Sequence, residues 1–276
     1  MSQFDLNILD FSGAFSEEGL GDALRSLTAS ERGFRSVVID CRDIEGTNCY
    51  CEAAAASEIL RRFRRERLSS SDGRGSSLQV NWIDTGDYHH LSKMTVSEAA
   101  LENGSLTLIQ IDHHPDMQEP AFGGILSCGG WLRSLLEECP QVENAFVLGI
   151  DPALEGECGG FGDRVTVCNE TVVGTDPGMT DRLCEAVRGR KVFLSVDKDA
   201  LGREWSRTDW DHGTMNLGFL ESIVRRVAEV SDLVGIDICG GITSAKGATG
   251  DDFTVNLRTD LRLLELIATL PEKKYL

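Results

Sequence analysis

The stretch Ile109–Gln118, IQIDHHPDMQ, begins as a buried strand and ends as something a buried strand should not contain. Read back to Leu106, the apolar run LTLIQID passes straight into Asp112, His113, His114, Pro115 and Asp116. Two carboxylates and two imidazoles thus fall within five positions at the mouth of a strand. The same grammar recurs along the chain. Short apolar or β-branched runs, LNILDFS, SVVIDC, LQVNWID, LTLIQID, AFVLGID, RVTVCN, KVFLSVD and DLVGIDI, alternate with amphipathic helical patterns. The helices are expected at 17–29, 52–67, 92–103, 129–139, 180–188 and 216–230, with a last one near 256–270. Alternation of this kind predicts right-handed β-α-β crossovers, hence a three-layer α/β/α fold with a mostly parallel sheet of about eight strands. One domain spanning residues 1–276 accommodates it. The polar run SSSDGRGSS (69–77) is expected to be a loop inside that domain, because the strand after it is needed to complete the sheet.

Composition narrows the function classes. Lys and Arg total 27 against 45 Asp and Glu, for a net charge of −18, the opposite of a nucleic-acid-binding footprint. No run of 18 apolar residues offers a membrane span, and the opening MSQFDLNILD lacks the basic and apolar regions of a secretory signal. Nine cysteines scattered from Cys41 to Cys239 do not resemble a disulfide framework; they are expected to be reduced thiols in a cytoplasm. The closest pair, Cys49 and Cys51, lacks the spacing of a structural zinc site and reads as packing or loop residues, or as part of an active-site rim. The arginine-rich run 61–67 spreads around a helix and reads as a solvated face that offsets neighbouring acids.

Five of the eight runs reach an aspartate at or next to their last position, namely Asp40, Asp84, Asp112, Asp151 and Asp197, and Asp237 lies near the end of another. In an open parallel sheet ligands bind outside the carboxyl ends of the strands, so acids gathered there face one crevice. Some such acids simply cap the following helix. Three strand ends carry more than a cap requires: DTGDYHHLSK with His89 and His90, IDHHPDM with Asp112, His114 and Asp116, and SVDKDAL with Asp197 and Asp199. On an extended backbone the i, i+2, i+4 spacing puts Asp112, His114 and Asp116 on one side, and Asp197 and Asp199 likewise, with Lys198 pointing away. Four of the chain's five histidines lie in the first two segments. Four aspartates in one crevice repel one another unless neutralised. Two divalent cations balance them charge for charge, with two imidazoles completing the coordination. Carboxylate and imidazole without thiolate suits Mn, Fe, Co or Zn better than Mg or Ca.

The ordered triple GDYHHLS, DHHPD and SVDKD resembles the signatures of the ureohydrolases, the arginase and agmatinase family: a Gly-Gly-Asp-His-Ser turn, an Asp-Ala-His-x-Asp segment and a Ser-x-Asp-x-Asp segment. The resemblance covers roughly 86–241. It implies two manganese ions held by His89, Asp112, His114, Asp116, Asp197 and Asp199, with His89 and His90 interchangeable as the histidine of the first turn. It implies, too, metal-assisted attack of water on a trigonal carbon, with Asp116 orienting the nucleophile, and a hydrolase of linear, non-peptide carbon–nitrogen bonds in a small-molecule or peptide guanidino substrate. The stretch DHGTMNLGFL also looks like the segment that follows the last ligands in that family. Two departures stand out. Gly240 occupies the place of the acid that pairs with a substrate guanidinium, and AFGGILSCGGW lacks the family's proton-donating histidine. His212 is assigned to proton transfer, with hydrogen bonding inside its own loop as the alternative role. Histone-deacetylase relatives share the fold but typically keep one zinc, and Asp116, Asp199 and the histidine turn favour the two-metal branch. The alternatives are a non-catalytic metal-binding or regulatory protein on the same scaffold and a peptide-directed arginase. The sequence leaves a homo-oligomer open.

Overall fold

A computed structural model of the chain describes residues 4–28, 34–67, 78–120 and 123–271. The strands are β1 (Phe4–Asp10), β2 (Phe34–Asp40), β3 (Tyr50–Cys51), β4 (Leu78–Ile83), β5 (Leu106–Ile111), β6 (Leu126–Ser127), β7 (Val142–Leu148), β8 (Val165–Cys168), β9 (Lys191–Asp197) and β10 (Asp232–Cys239). Eight of them form one sheet in the order β2-β1-β4-β10-β9-β5-β7-β8, and every pairing is parallel. These are the eight runs read from the sequence. The remaining two, β3 and β6, make a small antiparallel ribbon.

The strands read as nearly continuous apolar runs because helices cover both faces. Along β9, Val192, Leu194 and Val196 pack on one side with Leu183, Leu220 and Leu263, while Phe193 packs on the other with Val96, Trp131 and Leu135. The period-2 alternation of a strand therefore feeds two cores instead of one core and solvent. Each fully buried aliphatic side chain in them contributes about 1.5–3 kcal/mol.

The helices at Ala53–Glu66, Leu91–Asn103, Trp131–Glu138, Met179–Val187 and Leu217–Val230 lie within two residues of their expected limits. The first one expected, 17–29, is instead two helices, Ala14–Glu17 and Leu20–Thr28, with Gly19 at φ +77 between them. The last begins at Gly250 instead of near 256, because Thr249 and Asp252 form a capping box ahead of the apolar stripe. The loop expected at 69–77 lies outside the described residues. The arginine run is a solvated face: Arg61 and Arg62 pair with Glu58, Arg64 with Glu98 and Arg67 with Glu102. Among the described residues no helix is long and apolar enough to cross a membrane.

Candidate metal centre

The chain enters the middle of the sheet four times, and three of those entries deliver acids and imidazoles to its carboxyl edge. β4, β10, β9 and β5 are consecutive neighbours. His89 follows β4 after a 3-10 turn at Gly86–Tyr88, Asp112 follows β5, and Asp197 ends β9. Asp197 and the Asp112 to Asp116 segment are thus brought side by side, while His89 reaches them from two strands away, across the end of β10.

What lies under that crossing is Gly240. Its φ is +96, and a Cβ there would stand 2.5 Å from Asp197 Oδ1 and 2.9 Å from the Lys198 nitrogen. Only a glycine permits both the left-handed turn and this close approach. The departure seen in the sequence therefore has a steric cause: this backbone has no room for a carboxylate side chain at 240.

All six expected ligands converge. His89 Nδ1 lies 2.9 Å from Asp116 Oδ2, 3.2 Å from Asp112 Oδ2 and 3.5 Å from Asp197 Oδ2. His114 Nδ1 lies 2.9 Å from Asp199 Oδ2 and 3.6 Å from Asp112 Oδ1. Two groups of ligand atoms are each compact enough for one metal ion, His89 with Asp112 and Asp116, and Asp112 with His114 and Asp199. Asp112 belongs to both, and Asp197 stands beside the first through His89. Of His89 and His90, it is His89 that faces the carboxylates. His90 is fully buried, turned away from the carboxylates, with neither ring nitrogen hydrogen-bonded.

The convergence is not achieved by an extended backbone. β5 stops at Ile111, and from there the chain is held by its own side chains. Asp112 Oδ1 accepts the His114 N–H at 2.7 Å, Asp112 Oδ2 accepts Gln110 Nε2 at 2.8 Å, and Asp116 adopts φ 51, a left-handed conformation that Asp tolerates better than most residues. Asp197 similarly accepts the Asp199 N–H at 3.0 Å, closing a 3-10 turn over Lys198–Ala200. Lys198 does point away, into a buried ion pair 2.7 Å from Asp260.

Neighbours that the sequence did not single out orient the ligands. The Trp131 indole donates to Asp116 Oδ2 at 2.6 Å. Ser195 Oγ lies 3.0 Å from His89 Nε2 and 3.2 Å from Ser92 Oγ, which turns His89 Nδ1 toward the acids. Hydrogen bonds of this kind fix ring orientation and tautomer in a metal-binding histidine. The His113 N–H donates to Asp199 Oδ1 at 3.1 Å, and its ring does not line the cavity. Ser195 sat in plain view inside SVDKD; Trp131 carried no local signal.

The electrostatics fit a cation site. Burial and the Asp112 charge push Asp116 up to about 7, and burial with the Asp197 and Asp112 charges raises Asp199 well above the carboxylate range. Burial also raises Asp197. Burial alone would lower both histidines, but the carboxylates around them override it, raising His89 strongly and His114 to about 12. The side chains compete for too few positive charges, a demand that two divalent cations meet. Oxygen and imidazole donors, with no thiolate among the six, suit Mn, Fe, Co or Zn.

The remaining strand-end acids have structural partners. Asp84 accepts the Phe11 and Ser12 N–H groups, each at 2.7 Å, Asp151 accepts that of Ala153 at 2.8 Å, and Asp40 pairs with Arg42. Asp237 is buried inside β10, where Asn81 and Thr95 donate to it. His212 takes the loop role: its Nδ1 donates to Leu201 O at 3.0 Å, and its Nε2 accepts the Thr208 N–H at 3.2 Å. It does not line the cavity over the ligands. The proton-transfer assignment is therefore dropped, because both ring nitrogens are already engaged.

That cavity has a volume of about 270 Å³. Its floor is the ligand set, and its walls include Tyr50, Gln118, Ser127, Leu154, Glu157 and Trp210. Trp210 stacks edge-on against His114 at 5.7 Å and donates to Asp87 at 3.2 Å. Asp87 also pairs with Lys246 at 2.8 Å.

A model of the arginase family matches residues 27–240, an interval that contains all six ligand positions. Among solved structures, the chain resembles formimidoylglutamase from Bacillus subtilis, with 19% identity, 98% of this chain and 89% of that chain covered, and a TM-score of 0.69. It resembles arginase from Bacillus caldovelox at 12% identity, with 100% of both chains covered and a TM-score of 0.69. Proclavaminate amidino hydrolase from Streptomyces clavuligerus shares 19% identity, with 97% of this chain and 91% of that chain covered and a TM-score of 0.65. At these identities the likeness establishes the fold. None of the curated protein sequences compared with the chain matches it.

Proposed function

Because the chain belongs to the arginase family, whose model it matches over residues 27–240, we propose that it is a binuclear-metal-dependent hydrolase of a linear, non-peptide carbon–nitrogen bond. The substrate is a guanidino or related amidine or amide compound. The observation that carries this reading is the meeting of five side chains from three distant segments in two ligand groups that share Asp112, with Asp197 beside them 3.5 Å from His89. His89, Asp112, Asp116 and Asp197 would hold one ion, and Asp112, His114, Asp197 and Asp199 the other; manganese is the expected metal. Bound there, two such cations supply an activated water and polarise the trigonal carbon it attacks.

The chain's own contribution is placement. The Trp131 indole donates to Asp116 Oδ2 and fixes the carboxylate that would orient the attacking water. Tyr50, Leu154 and Trp210 wall the cavity over the ligand set, where a bound substrate would displace water and so strengthen the charge interactions on its floor. Recognition of the substrate differs from that of an enzyme with an acid at position 240. Among the described residues, Glu157 is the one cavity-lining carboxylate outside the ligand set, and it is the group that would meet a cationic substrate. A non-catalytic metal-binding role rests on the same Gly240 and predicts metal without turnover.

The test is metal content of protein reconstituted with manganese, joined to a screen of urea, ammonia and formamide release over guanidino and formimino compounds. Two ions per chain and release from at least one compound are expected. Asp112→Asn should lose both ions and Asp199→Asn one. One ion or none, with no release, overturns the proposal.

A further inference from the structure

The β3–β6 ribbon walls the same cavity, and it sets two of the nine cysteines face to face. Tyr50 pairs with Ser127 and Cys51 with Leu126, so Cys49 and Cys128 meet just past the end of the ribbon, where Cys49 leaves the strand conformation at φ 57. The Cys128 N–H donates to Cys49 O at 2.9 Å there. That backbone bond keeps the two residues near enough for the span of roughly 4.4–6.8 Å between Cα atoms that a disulfide bridges. The two side chains are already in contact. A hydrogen bond from the Cys128 thiol holds the Cys49 thiol below its ordinary value, and the same bond, with burial, raises Cys128. Cys49 Sγ in turn lies 3.4 Å from Asp87 Oδ1, beside the Lys246 ammonium that pairs with Asp87. Both cysteines line the cavity, and Cys49, the more exposed of the two, is the one a small reagent meets first.

We propose that Cys49 and Cys128 form a thiol–disulfide site, which a low-molecular-weight disulfide entering the cavity converts to a cross-strand bridge in the wall of the metal centre. Cys49 sulfur, as thiolate, attacks one sulfur of R–S–S–R, forming Cys49–S–S–R and releasing one RS⁻. Cys128 gives up its proton, and its sulfur attacks Cys49 Sγ, expelling the second RS⁻. Two protein thiols are oxidised, one reagent disulfide is reduced to two thiols, and the two protons lost by the cysteines go to the thiolates released. The order follows from the geometry, because Cys49 is the more exposed of the two and Cys128 is buried behind it. Cys51, two residues on, faces the other side of the ribbon in a core with Ile59 and Phe63, where burial pushes its thiol up to about 11. The bridge withdraws the Cys49 S–H from Asp87 and ties together the segments that carry Tyr50 and Ser127, so it changes the wall against which a substrate rests.

The experiment treats the metal-loaded full chain with oxidised glutathione and reads thiol count and tryptic masses, independently of any hydrolytic activity. Two thiols per chain should disappear, peptides 43–61 and 94–133 should appear as one linked mass, and dithiothreitol should reverse both. Cys49→Ser or Cys128→Ser should abolish the linked mass, and Cys51→Ser should leave it. The proposal is overturned by persistent glutathionylation of Cys49 without a link, by a link that survives Cys49→Ser, or by no loss of thiols.

Discussion

Restoring a side chain at Gly240 tests whether the departure from a guanidinium-binding acid is a matter of sterics. A non-glycine residue at φ +96 costs about 1–3 kcal/mol in backbone strain. The new Cβ would also stand 2.5 Å from Asp197 Oδ1, and forcing extra atoms into a packed interior costs about another 1–3 kcal/mol. Gly240→Ala should therefore lose roughly 2–6 kcal/mol, a large fraction of the 5–15 kcal/mol that holds a typical domain. The atom that yields is an Asp197 oxygen, so the loss should show in metal binding as well. Urea denaturation with and without manganese gives the first quantity, and metal content after dialysis gives the second. Gly240→Glu should fare no better and should not gain arginine hydrolysis. If Gly240→Glu instead keeps two ions per chain, unfolds within about 0.5 kcal/mol of the parent and releases urea from arginine, the backbone can yield and the steric account is wrong.

Trp131→Phe keeps most of the buried ring but removes the N–H that Asp116 accepts at 2.6 Å; loss of such an outer hydrogen bond typically costs about 10–100-fold in metal affinity or rate, to be read by competitive chelator titration, and unchanged affinity would refute the orienting role. His90 is buried and neutral, and burial, followed by the neighbouring His89 charge, lowers it to about 3. Its unfolded value is about 6.5, so it contributes stability that is fully present above pH 6.5 and is lost as pH falls from there toward 3, by up to about 5 kcal/mol over that window. His90→Leu should flatten that part of the stability profile relative to the parent in denaturant melts at a series of pH values; parallel profiles would count against it.

The central strands were legible because they are buried on both faces and so wrote their apolar character into consecutive residues, and the partly exposed edge strands β2 and β8 showed through their β-branched runs. The ribbon was not: two residues per strand, one of them next to a cysteine at φ 57, carry no period. The three ligand segments were legible as composition, since nothing but a site collects histidines and aspartates at neighbouring strand ends. Their geometry was not. The i, i+2, i+4 argument expects Asp112, His114 and Asp116 together, and they do meet, but by another route, because the backbone leaves the strand at Ile111 and the turn is made by Asp112 accepting the His114 N–H. Choosing between His89 and His90 needs the rotation of the turn they occupy, which adjacent residues do not encode. His212 was picked as a histidine left over, a criterion that says nothing about where a ring points.

The acidity of the whole chain and the acidity of the site have different origins. Most of the excess carboxylates behind the net charge of −18 are on the surface, where water screens them. Asp112, Asp116, Asp197 and Asp199 are each at most 5% exposed, and among the described residues no lysine or arginine pairs with any of them. A long-range field of that sign disfavours an anionic ligand and draws in cations, among them the metal ions and the guanidino or amidino group of the proposed reaction. The one buried lysine nearby, Lys198, is taken up by Asp260 instead of by its flanking ligands, 2.7 Å from the acid. Had Lys198 turned the other way, it would have filled the demand for positive charge at the centre. That the chain spends a second buried carboxylate to hold it aside is the clearest structural sign that the centre is kept for a cation from outside.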